Sequence, residues 1–193
     1  MSRISQYIID TLPTVSDYIV GTEYETLQTK NYKISNIIDL QSVKPTGSFY
    51  QDANQVGGFA SPNAVIFSKT NLDATNQWAV TGSPATRLTP AVSGLYNFDF
   101  TFFATTANAG NTIYFWLKKN GTTNISNSTV SRYLDTMVNT YVINANYSIS
   151  LSVGDYLEVL FQSDFGTPTL IYYSSVLSGG PALPSASVII NKI

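Results

Sequence analysis

The stretch Gly94-Leu95-Tyr96-Asn97-Phe98-Asp99-Phe100-Thr101-Phe102-Phe103 decides the fold class. Tyr96, Phe98, Phe100 and Phe102 recur at every second position, and Asn97, Asp99 and Thr101 fill the positions between them. In an extended chain successive side chains point to opposite faces, so this alternation lines one face with rings and the other with polar groups. The spacing predicts a strand from Leu95 to Phe103 that covers a core on one side only.

The same period of two recurs downstream. Tyr141, Ile143, Ala145, Tyr147, Ile149 and Leu151 alternate with Val142, Asn144, Asn146, Ser148 and Ser150, which predicts a second strand over 141–151. Ile113-Tyr114-Phe115-Trp116-Leu117 is apolar at every position, the pattern of a strand covered on one face by the core and on the other by a neighbouring sheet or subunit. It runs into Lys118-Lys119-Asn120-Gly121, and Asn-Gly favours a tight hairpin turn because both residues tolerate positive φ. Further strands are expected at Tyr156–Gln162, Leu170–Val176 and Ala186–Ile193, with weaker ones between Asn71 and Pro90. None of these runs carries a 3.6-residue period, so the chain from Phe49 onward reads as all-β.

Composition agrees. Hydrophobic residues make up 44% of the 193, with 13 Tyr and 10 Phe, a bias that suits strands. Charged residues are only 11% and the net charge is -2, too little positive charge to neutralise a phosphate backbone or seek an anionic membrane. Cysteine and histidine are both absent, which excludes disulfides, thiolate chemistry, Cys-type zinc sites and the usual near-neutral general base. No window approaches the roughly 20 apolar residues of a membrane span and no leader pattern opens the chain, so synthesis in a cytoplasm without export by a standard signal is expected.

The stretch before Phe49 is different in kind. Its hydrophobics are scattered and Pro13, Gly21, Pro45 and Gly47 interrupt it, which predicts a small, mostly irregular module over 1–45 and a main domain over 46–193. Val43-Lys44-Pro45-Thr46-Gly47-Ser48 reads as the linker, and Ile34 to Leu40 as one or two helical turns capped by Ser35.

Three local patterns in order resemble the C1q/TNF-like jelly roll. Gly94-Leu95-Tyr96-Asn97-Phe98-Asp99-Phe100 is similar to that family's Gly-x-Tyr-x-Phe-x-aromatic strand, although Leu88 stands where the family usually carries an upstream aromatic. Trp116-Leu117-Lys118-Lys119-Asn120-Gly121 resembles its hydrophobic strand and exposed hairpin, and Ile149-Ser150-Leu151-Ser152-Val153-Gly154-Asp155-Tyr156-Leu157-Glu158-Val159 its Leu-x-x-Gly-Asp-x-Val turn. The chain's end, Ala186-Ser187-Val188-Ile189-Ile190-Asn191-Lys192-Ile193, lacks the family's Phe-x-Gly-like close. The resemblance implies a jelly-roll β-sandwich that assembles as a homotrimer, with Tyr96, Phe98, Phe100, Phe115, Trp116 and Tyr147 as core or trimer-packing residues.

The opening segments, Asp10 to Thr22 and Thr29 to Ile34, resemble those that open phage structural proteins bearing fibres or heads. That resemblance implies a virion-surface protein, a head fibre or capsid decoration whose residues 1–45 dock on the major capsid or another virion protein. Tyr7, Tyr18, Ile19, Tyr32 and Ile34 would carry the attachment, and the β-domain would meet a host glycan or protein or stabilise the particle. A tail-fibre receptor-binding tip is the alternative, and a carbohydrate-active enzyme on a β-sandwich a second.

No catalytic, cofactor or metal site is assigned. Asp99 with Glu158 or Asp135 is the only carboxylate pairing to weigh for glycoside hydrolysis, which needs groups roughly 5–10 Å apart. Asp155, Glu158 and Asp164 are the chief candidates to weigh for Ca²⁺, which needs several oxygens in one shell. Tyr133, Tyr172 and Tyr173 are candidates for stacking on sugar or protein.

Overall fold

The computed structural model describes residues 18–22, 29–33, 46–72, 77–135, 139–175 and 179–193. The chain divides into two compact units, Met1–Val43 and Lys44–Ile193. In the first, strands β1 (Tyr18–Thr22) and β2 (Thr29–Lys33) form an antiparallel hairpin with Tyr18 opposite Lys33 and Thr22 opposite Thr29. This hairpin is regular structure where scattered hydrophobics predicted none. The expected helical turns at 34–40 lie outside the described residues.

The second unit follows the alternation. Its strands are β3 (Thr46–Gln51), β4 (Gln55–Val56), β5 (Asn63–Ala64), β6 (Lys69–Leu72), β7 (Trp78–Thr81), β8 (Arg87–Pro90) and β9 (Gly94–Thr106). After them come β10 (Asn111–Lys119), β11 (Thr123–Asn124), β12 (Val130–Leu134), β13 (Tyr141–Leu151), β14 (Leu157–Ser163), β15 (Pro168–Leu170) and β16 (Ala186–Lys192). Among the described residues there is no helix.

Two sheets result. In the first, β9 is the spine: β13 pairs along one edge over its whole length, while β16 and β15 follow each other along the opposite edge. Beyond them lie β3, β4 and β6, giving the order β4-β15-β9-β16-β3-β6 with β13 outside β9. In the second sheet β10 and β14 pair centrally, flanked by β11 and β12 on one side and by β5, β8 and β7 on the other. Every strand pair is antiparallel among the described residues, and several neighbours, such as β3 with β16 and β8 with β14, are distant in sequence, as in a jelly roll.

The core is aromatic because the inward face of β9 is aromatic. Tyr96, Phe98, Phe100 and Phe102 are all buried. Phe98 stacks on Phe100 and Phe100 on Phe102, each at 5.9 Å between ring centres. Phe102 then crosses to the second sheet and stacks on Phe115 of β10 at 4.3 Å, and Phe115 meets Phe161 of β14 at 5.9 Å. Trp78 of β7 closes the other end, edge-on to Tyr96 at 4.8 Å and to Phe98 at 5.7 Å. Such pairs contribute about 0.5–1.5 kcal/mol each beyond the area they bury, so the column both fills the sandwich and fixes how its layers register.

Three expectations change at their edges. Thr46 to Ser48, read as linker, open β3 and pair with β16; Gly47 interrupts the sequence pattern, yet it is buried against Phe49 and Trp78, where a side chain would not fit. The strand expected over Leu170–Val176 ends at Leu170. Past it the backbone turns to other partners: the Tyr172 amide donates to Asn54 Oδ1 at 2.7 Å, and Tyr173 exchanges hydrogen bonds with Leu183. Lastly, Ile113, Phe115 and Leu117 are buried while Tyr114 and Trp116 are half-exposed, so among the described residues of this unit no second layer covers the outward face of β10.

Phe98→Ala is expected to cost about 3–5 kcal/mol, as for other buried rings. For a chain of this size that lowers the melting temperature by on the order of 10 °C. Thermal and urea unfolding followed by circular dichroism check it; an unchanged midpoint would show that the ring column does not hold the layers together.

Candidate functional site

One end of the sandwich is closed by two turns that lock each other. Asn120 and Gly121 both take positive φ, 53° and 68°, in the loop between β10 and β11, and Gly154 takes 92° in the loop before β14. Asp155 caps its own turn, accepting from the Ser152 amide at 2.8 Å. Lys119 Nζ lies 2.7 Å from that same oxygen, Oδ2, and the other oxygen, Oδ1, accepts from Asn120 Nδ2 at 2.8 Å. Asn120 in turn accepts the Tyr156 amide at 2.8 Å and donates its own amide to the Tyr156 carbonyl at 3.0 Å. The Asn120 and Lys119 side chains and the Ser152 amide hold the Asp155 carboxyl well below the usual carboxylate range. The second and third sequence motifs are therefore two halves of one clamp.

The outer face of the first sheet is a different surface. Along β9 and β13 its outward side chains bond among themselves: Ser148 Oγ to Asn97 Oδ1 at 3.4 Å, Asn97 Nδ2 to Asp99 Oδ2 at 3.3 Å, Asn146 to Asp99, and Thr101 Oγ1 to Asn144 Oδ1 at 3.0 Å. Apolar residues flank this polar ladder. Leu95 and Ile193 lie side by side at one end, joined by the Ile193 amide to the Leu95 carbonyl at 3.0 Å. Ile189, opposite Asp99, is 52% exposed and Ile193 60%. At the other end Phe103, Val142, Tyr173 and Leu183 line a hollow of about 400 Å³, where the Thr140 and Tyr173 hydroxyls lie 2.6 Å apart.

The sequence-predicted residues separate into three places. Tyr96, Phe98, Phe100 and Phe115 are sealed inside one chain. Tyr147 is partly buried, donating its hydroxyl to the Ser128 carbonyl at 2.7 Å, and burial pushes its phenol and that of Tyr96 up from the ordinary value. Trp116 lies on the outer face of the second sheet, its indole N–H donating to Asn124 Oδ1 at 3.3 Å. Of the attachment residues, Tyr18, Ile19 and Tyr32 fall in the β1–β2 hairpin with Ile19 opposite Tyr32, whereas Tyr7 and Ile34 lie outside the described residues. Leu95, Ile189 and Ile193 were not singled out by alternation, because in sequence an outward aliphatic and an inward one look alike.

The weighed carboxylate groupings do not assemble. Asp99 faces outward from the first sheet, while Glu158 faces outward from the second and is engaged by Thr86 Oγ1 at 2.9 Å and Arg87 Nε at 3.6 Å. The core lies between them. Asp135 accepts from the Tyr141 hydroxyl; Tyr141 sits opposite Ala104, five residues along β9 from Asp99, or about 17 Å at strand rise. Glu158 and Asp164 stand six residues apart along β14 and beyond its end, about 20 Å on the same reckoning. Among the described residues no three metal-ligating groups converge, and no helix is long and apolar enough to cross a membrane. Tyr133 is exposed on β12, Tyr172 is half-buried beside Asn54, and Tyr173 belongs to the hollow already described.

Comparison with solved structures now bears on the fold. Eiger TNF from S. frugiperda superposes with a TM-score of 0.55 and 10% identity, covering 78% of this chain and 92% of that one. Murine APRIL gives 0.51 and 10%, covering 77% and 99%. The main unit has the TNF-like jelly-roll fold of these two structures. The globular domain of zebrafish complement 1qA also matches, at 0.49 and 19% identity over 78% of this chain and 98% of that one, and the fold assignment rests on the first two. No family model matches the sequence, and no curated protein does.

In this jelly roll the clamp predicts a pH dependence. A carboxyl held low in the folded state stabilises the fold fully above its unfolded value, about 4, and loses that contribution as pH falls towards the folded one. Asp155→Asn should therefore be less stable than the unaltered chain at pH 7, with the gap narrowing below pH of about 4. Urea midpoints across a pH series measure this, and a gap that is constant or widens on acidification would contradict it.

Proposed function

We propose that this chain is a non-enzymatic, homotrimeric virion-surface protein of head-fibre or capsid-decoration type. The jelly-roll unit forms the displayed head, residues 1–45 dock on the major capsid or another virion protein, and the head contacts the host surface or stabilises the particle. The observation that carries the self-association is the outer face of the first sheet, where Leu95, Ile189 and Ile193 stay exposed although the chain's own core is complete. Exposed aliphatics grouped on one face mark an interaction surface, and three copies turned about one axis close such a contact without leaving an open end. The polar ladder between the apolar ends has its bonds satisfied within each chain, so it can be brought against a second copy at little cost in unpaired groups.

The non-enzymatic reading is supported by the dispersal of Asp99, Asp135 and Glu158 over opposite faces. The phage resemblance of the opening segments supports the virion setting, and the β1–β2 hairpin, which holds Tyr18, Ile19 and Tyr32, is the described part of the attachment module. Many weak contacts displayed on one particle then add through high effective concentration.

Light-scattering mass of the whole chain and of a form lacking residues 1–45 tests the assembly, and both should be trimeric. Only the truncated form should fail to bind particles; a monomeric head would sink the assembly claim, and particle binding without residues 1–45 the attachment claim. Ile189→Lys is expected to dissociate the trimer while leaving the unfolding midpoint of the monomer within about 0.5 kcal/mol, as for exposed sites generally.

A further inference from the structure

We infer that the outer face of the second sheet carries a cleft that binds a neutral saccharide. Tyr114 and Trp116 of β10, Gln162 of β14, Phe59 from the loop between β4 and β5, Asn124 of β11 and Asp164 line an open cleft of about 490 Å³. That size falls within the range of small-molecule sites, roughly 300–1,000 Å³.

Three properties of the lining select the ligand class. The first is aromatic surface. Tyr114 and Trp116 are two residues apart on one strand, so they share the outward face with about 7 Å between their backbones. Phe59, 59% exposed, adds a third ring. Gln162, opposite Tyr114 in the ladder, ties that ring's loop to the sheet by donating Nε2 to the Phe59 carbonyl at 2.5 Å. Flat apolar rings suit the C–H faces of a pyranose.

The second property is a set of positioned polar groups with capacity to spare. Asn124 Oδ1 accepts from Trp116, Gln162 Nε2 donates to the Phe59 carbonyl, and Asp164 Oδ1 accepts the Thr112 amide at 2.7 Å. These bonds fix the side chains. Their other ends, Asn124 Nδ2, Gln162 Oε1 and Asp164 Oδ2, together with the Tyr114 hydroxyl, have no protein partner among the described residues. A mixture of donors and acceptors is what sugar hydroxyls require, since each hydroxyl both gives and accepts.

The third property is charge. Asp164 is the one ionisable carboxylate in the lining and no cation is there. Phosphate, sialic acid and nucleic acid are thereby disfavoured, and a neutral sugar is accepted. The inference stands on the cleft alone; it touches the assembly reading only in that packing through the first sheet leaves the second sheet's outer face free.

Saturation-transfer NMR tests it on the full chain, with the methyl glycosides of glucose, galactose, mannose and N-acetylglucosamine as probes and N-acetylneuraminic acid alongside. At least one neutral glycoside should receive saturation and the sialic acid should not. Tryptophan emission should shift on titration, because the chain has two Trp, of which Trp78 is only 4% exposed inside the core and Trp116 faces the cleft. Trp116→Ala and Phe59→Ala should each weaken binding tenfold or more, and Gln162→Ala should weaken it with the rings intact. Circular dichroism of all three variants should match the unaltered chain. No saturation of any neutral glycoside, preference for the sialic acid, or unchanged binding by both ring variants overturns the inference. Sugar binding by a chain whose mass is monomeric supports the cleft and counts against the assembly reading alone.

Discussion

The stacking of Phe102 on Phe115 is the contact on which the rest of this molecule depends. It is where the spine of one sheet meets the centre of the other, at 4.3 Å and nearly parallel. From it the column runs back along β9 through Phe100 and Phe98 to Trp78, and outward through Phe115 to Phe161. With neither disulfides nor His or Cys metal sites to draw on, the two sheets are held by packing, and rings supply the most buried area for each residue ordered.

Spending the rings inside determines what the two outer faces have left. β9 and β13 turn amides and hydroxyls outward, and these bond to one another along and across the strands, while Leu95 and Val142 stand at the ends of the ladder and Ile189 of β16 beside its middle. β10 is the exception, since its outward positions are Tyr114 and Trp116. The two outer faces of the sandwich therefore differ in chemistry, one presenting a polar ladder with aliphatics beside it and the other presenting rings. The clamp between the 119–121 and 154–156 turns fixes the end at which β10 finishes and β14 starts, and so the register that puts Tyr114 opposite Gln162.

Alternation in the sequence was enough to place β9, β13 and β16, because a half-buried strand writes its two faces into a period of two, whereas β10 was legible as an apolar run ending at Asn-Gly and β14 as the run after the Gly154-Asp155 turn. Gly154 and Asn120-Gly121 were legible as turns for a related reason: few residues accept positive φ, so their presence marks it. What failed were segments whose backbone partners are not ladder partners, such as Tyr172, whose amide is taken by an asparagine side chain far away in sequence. Gly47 misled in the opposite sense, because a glycine that makes room for Phe49 and Trp78 looks in sequence like a glycine that breaks a strand.

The sequence by itself determined the all-β class, the inward set on β9 and the turn chemistry, since each depends only on residues near one another along the chain. Tertiary structure alone decided that Asp99 and Glu158 stand on opposite faces, that the two turns grip each other, and that Phe59 comes to lie over the same cleft as Tyr114, Trp116 and Gln162. Those relations are set by which strands pair across the jelly roll, and strand pairing over a hundred residues leaves no local trace.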